Sequence, residues 1–282
     1  MIRLATPQFS HHEIFAACVG YIKNQTTRAA VQASYPAVAA NVAAYGVRAT
    51  ETLFRLQPEG FSKLQQNWLK KLYRYYLAGG KQRLVYDSIL ASSEFGICPY
   101  CGQRDTQTLD HYLPQSVFPE FAVLAENLVP CCSACNKEKG EHRPLAATQQ
   151  VFHPYFDDWS ESELLQATLH LGNNAVVTFA IVNKGNIDAD IVARASTHFQ
   201  TFHLGALYST HAGVELVNSK EEFKEAASSP EPQSLRRELE KRMSKIKWPF
   251  HSWRRALYRE LASNEAFLNG GYNLIDEPLN II

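Results

Sequence analysis

Apolar positions in the first 95 residues recur at helical spacing. "TTRAAVQASYPAVAANVAAY" is alanine-rich and broken only by Pro36. "SKLQQNWLKKLYRYYLAGG" carries Leu64, Trp68, Leu69, Leu72, Tyr75 and Tyr76 in a stripe that predicts a core-facing helix, with Gly79 and Gly80 as its stop. "KQRLVYDSILASS" predicts another helix. From residue 96 to about 140 the periodicity disappears under Gly, Pro, Cys and Asn. Further on, "LLQATLHLGNNAVVTFAIV" alternates on both sides of "GNN" and predicts a β-hairpin. "DADIVARASTHFQTFHLGALYSTH" returns to helical spacing. Ser219 and Glu222 have the spacing of a capping box and predict a helix start. The expected fold is a mostly helical α+β chain in three regions: N-terminal helices over 1–95, an irregular centre over 96–157, and an α+β region with a hairpin and basic helices over 158–282.

Composition adds limits. The chain has 282 residues, 45% of them apolar, enough for a substantial core. Lys plus Arg equals Asp plus Glu at 28 each, so a nucleic-acid surface, if present, must be local. The strongest such run is "LRRELEKRMSKIKWPFHSWRRALYREL", which Pro249 is expected to split into two helices. Within it Lys245, Lys247, Arg254 and Arg255 are the candidate phosphate contacts. Neither a signal-peptide run nor an eighteen-residue apolar stretch occurs, so a cytoplasmic protein without membrane association is expected.

Cysteine usage changes the picture most. Cys18 stands alone in an apolar helix and reads as a small buried hydrophobe. The other five fall in "CPYC" and "CCSAC". Two Cys-x-x-Cys pairs present thiolates in the arrangement that completes a tetrahedral zinc site, here Cys98, Cys101, Cys132 and Cys135. Cys131 offers an alternative as Cys-x-x-x-Cys with Cys135; Cys132 is preferred because it keeps the two pairs alike. A closed four-thiolate site is structural. Free buried thiols, or a redox Cys-x-x-Cys, are the competing readings.

Between the pairs lies "TLDHYLPQSVFPE". Asp110 and His111 are adjacent, so on an extended backbone they project to opposite sides. Asn127 follows sixteen positions after His111, and Asn136 directly follows the last cysteine. Asp110 and the amide oxygen of Asn136 suit a hard divalent ion such as Mg²⁺, and His111 suits a general base near neutral pH. Asn127 can tie down the loop that carries His111. His142 and His153 read as packing residues.

"CPYC…LDHYLPQS…ENLVPCCSACNKEKG" resembles the HNH endonucleases, also called ββα-metal or His-Me finger nucleases, in the branch stapled by two Cys-x-x-Cys knuckles. The resemblance covers about residues 95–140. It implies His111 as general base, Asp110 as acidic metal ligand and Asn127 as the middle Asn that orients the loop. Asn136 replaces the last His of the motif, making an HNN variant. Lys139, one turn along, would approach the scissile phosphate. The implied cofactors are structural Zn²⁺ and catalytic Mg²⁺ or Mn²⁺. The implied substrate is nucleic acid, DNA ahead of RNA, with a setting in bacterial anti-phage defence or restriction beside an ATPase or other defence-system protein. The alternatives are an RNA (tRNA)-cleaving effector and a non-catalytic zinc module that scaffolds a nucleic-acid complex.

Overall fold

The N-terminal stretch folds as helices in a computed structural model that describes residues 2–49, 52–158, 163–183, 185, 187–245 and 252–276. α1 is His11–Gly20, α2 Gln25–Gln32 and α3 Tyr35–Arg48; Pro36 sits in the first turn of α3, where its missing N–H costs nothing. α4, Lys63–Lys71, opens on a capping box of Ser62 and Gln65 and runs on as a π-helix, Leu72–Ala78. α5 is Arg83–Leu90.

The predicted stripe is only partly buried. Leu69, Leu72 and Leu77 are core, but Leu64 and Tyr75 are about half exposed, at 51% and 53%. The wider π turn shifts the phase after Lys71 and carries Tyr75 out of line with the apolar face. Gly80 closes this segment for a steric reason. A Cβ there would lie 2.2 Å from the Tyr75 carbonyl oxygen and 2.7 Å from the Tyr76 Cα.

The chain forms two compact units, Met1–Asp158 and Trp159–Ile282. In the first, strand β1 (Thr108–His111) pairs antiparallel with β2 (Leu128–Cys131), placing Asp110 opposite Val129 and His111 opposite Leu128. A short helix, α6 (Ser133–Lys139), follows β2. Leu109, Val123, Ala125 and Leu128 of this segment join one core with Ile14, Phe15, Cys18, Val19, Leu69, Leu72 and Ile89 of the helices. An isolated hairpin is marginal in water; this one is built onto a helical floor. Cys18 is fully buried in that core, as its apolar surroundings predict.

In the second unit, β3 (Leu165–Leu171) and β4 (Ala175–Ile181) form the hairpin around Gly172, Asn173 and Asn174. Leu165, Ala167, Leu169, Val177 and Phe179 are buried between more exposed neighbours, the pattern of a sheet with one covered face. β4 packs on α8 (Leu204–Ser228) and β3 on α10 (Trp253–Ser263); α7 (Ala189–Thr201), α9 (Ser234–Lys245) and α11 (Glu265–Leu268) complete the unit. The expected helix start at Ser219 is corrected. Ser219 lies inside the continuous α8, buried, with its Oγ accepting from Arg242 Nη1 at 3.0 Å. The helical periodicity upstream outweighs a local capping pattern. No helix among the described residues is long and apolar enough to cross a membrane.

Candidate nuclease and metal site

The two Cys-x-x-Cys pairs meet. The sulfurs of Cys98, Cys101, Cys132 and Cys135 all lie within 4.8 Å of one another, in a buried cluster. Backbone geometry makes each knuckle. In the first, the Cys98 carbonyl accepts from Gly102 N–H at 2.8 Å, with Gly102 at φ +64. In the second, Cys132 is the N-cap of α6 and its sulfur accepts from Cys135 N–H at 3.3 Å. A set of four thiols at this separation suits a tetrahedral zinc site with no open position. Cys131 is outside the set. It is the last residue of β2, and burial pushes its thiol well above the ordinary range. The choice between Cys131 and Cys132 thus falls to Cys132, through the alternation of side chains along an extended backbone.

Above the cluster, Asp110, His111 and Asn136 line one cavity of about 350 Å³, together with Tyr73, Thr108 and Glu141. β1 supplies the first two and α6 the third. α6 ends at Gly140, whose backbone φ of +53 favours glycine, and its N–H closes on the Asn136 carbonyl at 3.0 Å.

His111 is held on two sides. Its Nε2 lies 3.0 Å from the Ala122 carbonyl oxygen. A carbonyl only accepts, so Nε2 carries the proton and Nδ1 keeps the lone pair of a base. The Tyr73 ring meets the imidazole edge-on, centroids 4.4 Å apart. Burial lowers the His111 pKa to about 4, against smaller raising effects from the Ala122 carbonyl and Asp110, so the ring is neutral near pH 7.

Asn127 is the hub of the loop that supplies Ala122. It is fully buried. Its Oδ1 accepts from Leu113 N–H at 2.8 Å, and its Nδ2 donates to the carbonyls of Leu113 at 3.1 Å and Phe121 at 3.3 Å. Tyr45 of α3 also brings its hydroxyl to 3.2 Å from Oδ1 and to 3.0 Å from His153 Nε2. His153 is thus a packing residue, as expected, and the Tyr155 hydroxyl beside it donates to the Leu128 carbonyl at 2.8 Å. Asn127→Ala leaves several of these groups without partners away from water. It is expected to lower unfolding stability by about 2–4 kcal/mol and to slow cleavage in parallel. Denaturant midpoints beside initial rates check this; an unchanged midpoint contradicts it.

Lys139 is a correction. It was expected to approach a phosphate, but it is 3% exposed and turned inward. Its Nζ donates to Asp110 Oδ1 at 3.0 Å and to the His111 carbonyl at 2.9 Å. The Tyr100 hydroxyl, between the first two cysteines, donates to Asp110 Oδ2 at 2.8 Å. The carboxylate is therefore oriented by one donor on each oxygen, and each oxygen keeps a further lone pair. Asn136 Nδ2 reaches Thr108 Oγ1 at 3.4 Å, leaving its Oδ1 as the acceptor. Asp110 and Asn136 thus present oxygen donors to one cavity, a donor set that fits a hard divalent ion. Tyr73, Tyr100 and Tyr45 were not singled out from the sequence; each looked like an ordinary aromatic in a helix or a knuckle.

The basic run of the second unit is largely neutralised within it. Ion pairs join Arg236 to Glu265, Arg237 to Glu231, Lys241 to Glu238, Arg242 to Glu222 and Glu238, Arg254 to Glu215 and Arg259 to Glu163. Arg254, a candidate phosphate contact, pairs through Nε with Glu215 at 3.4 Å and stays partly exposed. Lys245 is exposed, Arg255 is half-buried on α10, and Lys247, with Pro249, lies outside the described residues.

Comparison with protein families matches residues 98–142 to HNH endonuclease. The protein ea31 of Escherichia phage lambda is 30% identical over 220 residues, covering 72% of this chain and 74% of that protein. No solved structure matches significantly.

Proposed function

The chain belongs to the HNH endonuclease family, with phage lambda protein ea31 a relative over most of its length, and from that premise we propose a divalent-metal-dependent endonuclease that hydrolyses DNA. One observation carries the reading: Asp110, His111 and Asn136 line a single cavity, with His111 fixed by the Ala122 carbonyl as the tautomer that can accept a proton at Nδ1. In this reading His111 takes the proton of the attacking water. The water oxygen bonds to phosphorus, the P–O bond to the leaving oxygen breaks, and that oxygen is protonated from solvent. Products carry 5′-phosphate and 3′-hydroxyl ends. Asp110 and Asn136 would hold the Mg²⁺ or Mn²⁺, which when bound stabilises negative charge on the phosphate and the leaving oxygen. Lys139 and Tyr100 hold the Asp110 carboxylate in place, and the cysteine cluster holds α6, and so Asn136, against β1.

DNA is preferred over RNA because of the family resemblance; the site described reads phosphate and metal, and carries no base-reading group. A setting in anti-phage defence or restriction, with an ATPase or other defence-system protein as partner, rests on that resemblance too. Incubation of the protein with plasmid DNA, single-stranded DNA and structured RNA tests the reading. Cleavage of DNA is expected with Mg²⁺ or Mn²⁺ and not with EDTA. Preferential loss of RNA would move the substrate to the tRNA-like class. Inertness of every substrate under every ion would leave only a scaffolding zinc module.

A further inference from the structure

A second groove opens beside the catalytic cavity. It has a volume of about 450 Å³ and is lined by Lys70, Lys71, Arg74, Tyr75, Gln115 and Glu141 among others. Gln115 and Glu141 also line the cavity that holds Asp110 and His111, so the two spaces are adjacent. We propose that this groove takes the substrate strand next to the scissile phosphate, and that it takes the strand unpaired, with a base stacked on Tyr75. The proposal rests on the nuclease reading of the adjoining cavity.

Charge is the first argument. The chain as a whole is balanced at 28 cations and 28 anions, yet three cations and one carboxylate share this groove. Lys71 and Arg74 are exposed and Lys70 half-buried, and none of the three forms an ion pair with a described carboxylate. This contrasts with the arginines of α9 and α10, which are mostly paired. Nor are the lysines explained as cations that complement the end of a helix. α4 does not end at Lys71 but continues directly into the π-helix.

Shape is the second argument. Tyr75 is 53% exposed and lines the groove, with the Arg74 guanidinium 5.6 Å from its ring centroid. A flat ring beside a cation is the platform on which an unstacked base sits, while the cations follow the backbone. In a duplex every base is already stacked on its neighbours and the ring would have no partner. The π-helix sets this arrangement. The same turn that sends Tyr73 to the His111 ring turns Arg74 and Tyr75 into the groove. Gly80, where any Cβ would strike the Tyr75 carbonyl, lets the chain fold back beneath it.

Binding can be read without turnover. The probe is a fluorescein-labelled oligonucleotide, single-stranded or annealed to its complement. Its anisotropy is titrated with His111→Ala protein without added divalent ion, between about 50 and 200 mM salt. On that background three changes are compared: Lys70→Ala/Lys71→Ala/Arg74→Ala; Tyr75→Ala; and Lys23→Ala/Arg55→Ala/Lys81→Ala, which removes as much charge from exposed positions lining neither space. The groove triple variant is expected to reduce the slope of log affinity against log salt by about 2, at about 0.7 per phosphate contact on a single strand. The control should reduce it far less. Tyr75→Ala is expected to weaken single-strand binding about tenfold with the slope unchanged, and the single strand should bind more tightly than the duplex. Equal slopes for groove and control variants overturn the proposal, as does duplex preference indifferent to Tyr75. Cleavage by the wild-type protein is measured alongside. An inert wild type that binds as described would remove the nuclease reading and keep the groove; an active enzyme with an indifferent groove does the reverse.

Discussion

Replacing His111 by alanine is expected to slow DNA cleavage by about 10²–10⁴-fold, the usual contribution of a positioned general base. The imidazole is committed to this task by its surroundings. The Ala122 carbonyl accepts a hydrogen bond from Nε2–H, the Tyr73 ring packs against the imidazole, and burial keeps the ring neutral near pH 7. What remains is an Nδ1 lone pair in a cavity shared with two oxygen-donor side chains. Removing the ring deletes the proton acceptor and leaves Asp110, Lys139 and Tyr100 paired as they were. Asp110→Ala would be a poorer probe. It strands the buried Lys139 ammonium without its carboxylate, which costs about 3–5 kcal/mol when one partner of a buried pair is lost, so lost activity would mix chemistry with unfolding. The measurement is the initial rate on plasmid DNA in Mg²⁺ for wild type and variant, with circular dichroism to establish that both are folded. A variant within about threefold of wild type would show that another group activates the water and would leave the catalytic assignment without support.

How much of this was legible in the sequence depends on the range of the interaction. Groups whose chemistry is carried by local spacing could be read directly: two Cys-x-x-Cys pairs, Asp110 beside His111, Asn136 after the last cysteine. The hairpin around Gly172, Asn173 and Asn174 is similarly local, since alternation and turn chemistry lie within one window. Partnerships made across the fold could not be read. Lys139 was expected to be a phosphate-seeking cation because nothing near it in sequence reveals that Asp110, 29 residues away, will bury it. Tyr100 sits between zinc cysteines, and only folding shows that its hydroxyl orients the same carboxylate. The basic run from Arg236 to Arg259 looked like a phosphate surface because several of its anions lie outside it, Glu163, Glu215 and Glu222 upstream and Glu265 downstream. The π-helix escaped for a different reason. Its residues fit an α-helical stripe, and the change of phase that exposes Tyr75 follows from how α4 and α5 must meet the core, which periodicity does not encode.

The largest stability effect is expected from the cysteine cluster. A structural zinc in small domains contributes on the order of 10 kcal/mol of apparent folding free energy, comparable with the whole stability of many domains. Dependence here should be strong because the regular elements of the segment are short. β1 and β2 are four residues each, and α6 is seven. Cys98 and Cys101 precede the strand pair, while Cys132 and Cys135 bracket the first turn of α6, so the cluster ties the two ends of the motif together. Asn136 is the next residue after Cys135. Any drift of α6 would separate it from Asp110 and expose the buried ion pair of Lys139. Metal analysis of the purified protein should therefore give about one zinc per chain, the number one tetrahedral four-thiolate site holds. Cys132→Ser, or exhaustive treatment with a zinc chelator, should lower the thermal midpoint sharply and abolish cleavage. Restored Mg²⁺ should not bring activity back, because the loss is of the scaffold and not of the catalytic ion; restored Zn²⁺ should rescue the chelated wild type. EDTA brief enough to leave zinc in place should by contrast be reversed by Mg²⁺ alone. A zinc-free protein with an unchanged melting curve would show that the four thiols pack as ordinary core residues, and that the helices beneath them hold Asn136 to Asp110 unaided.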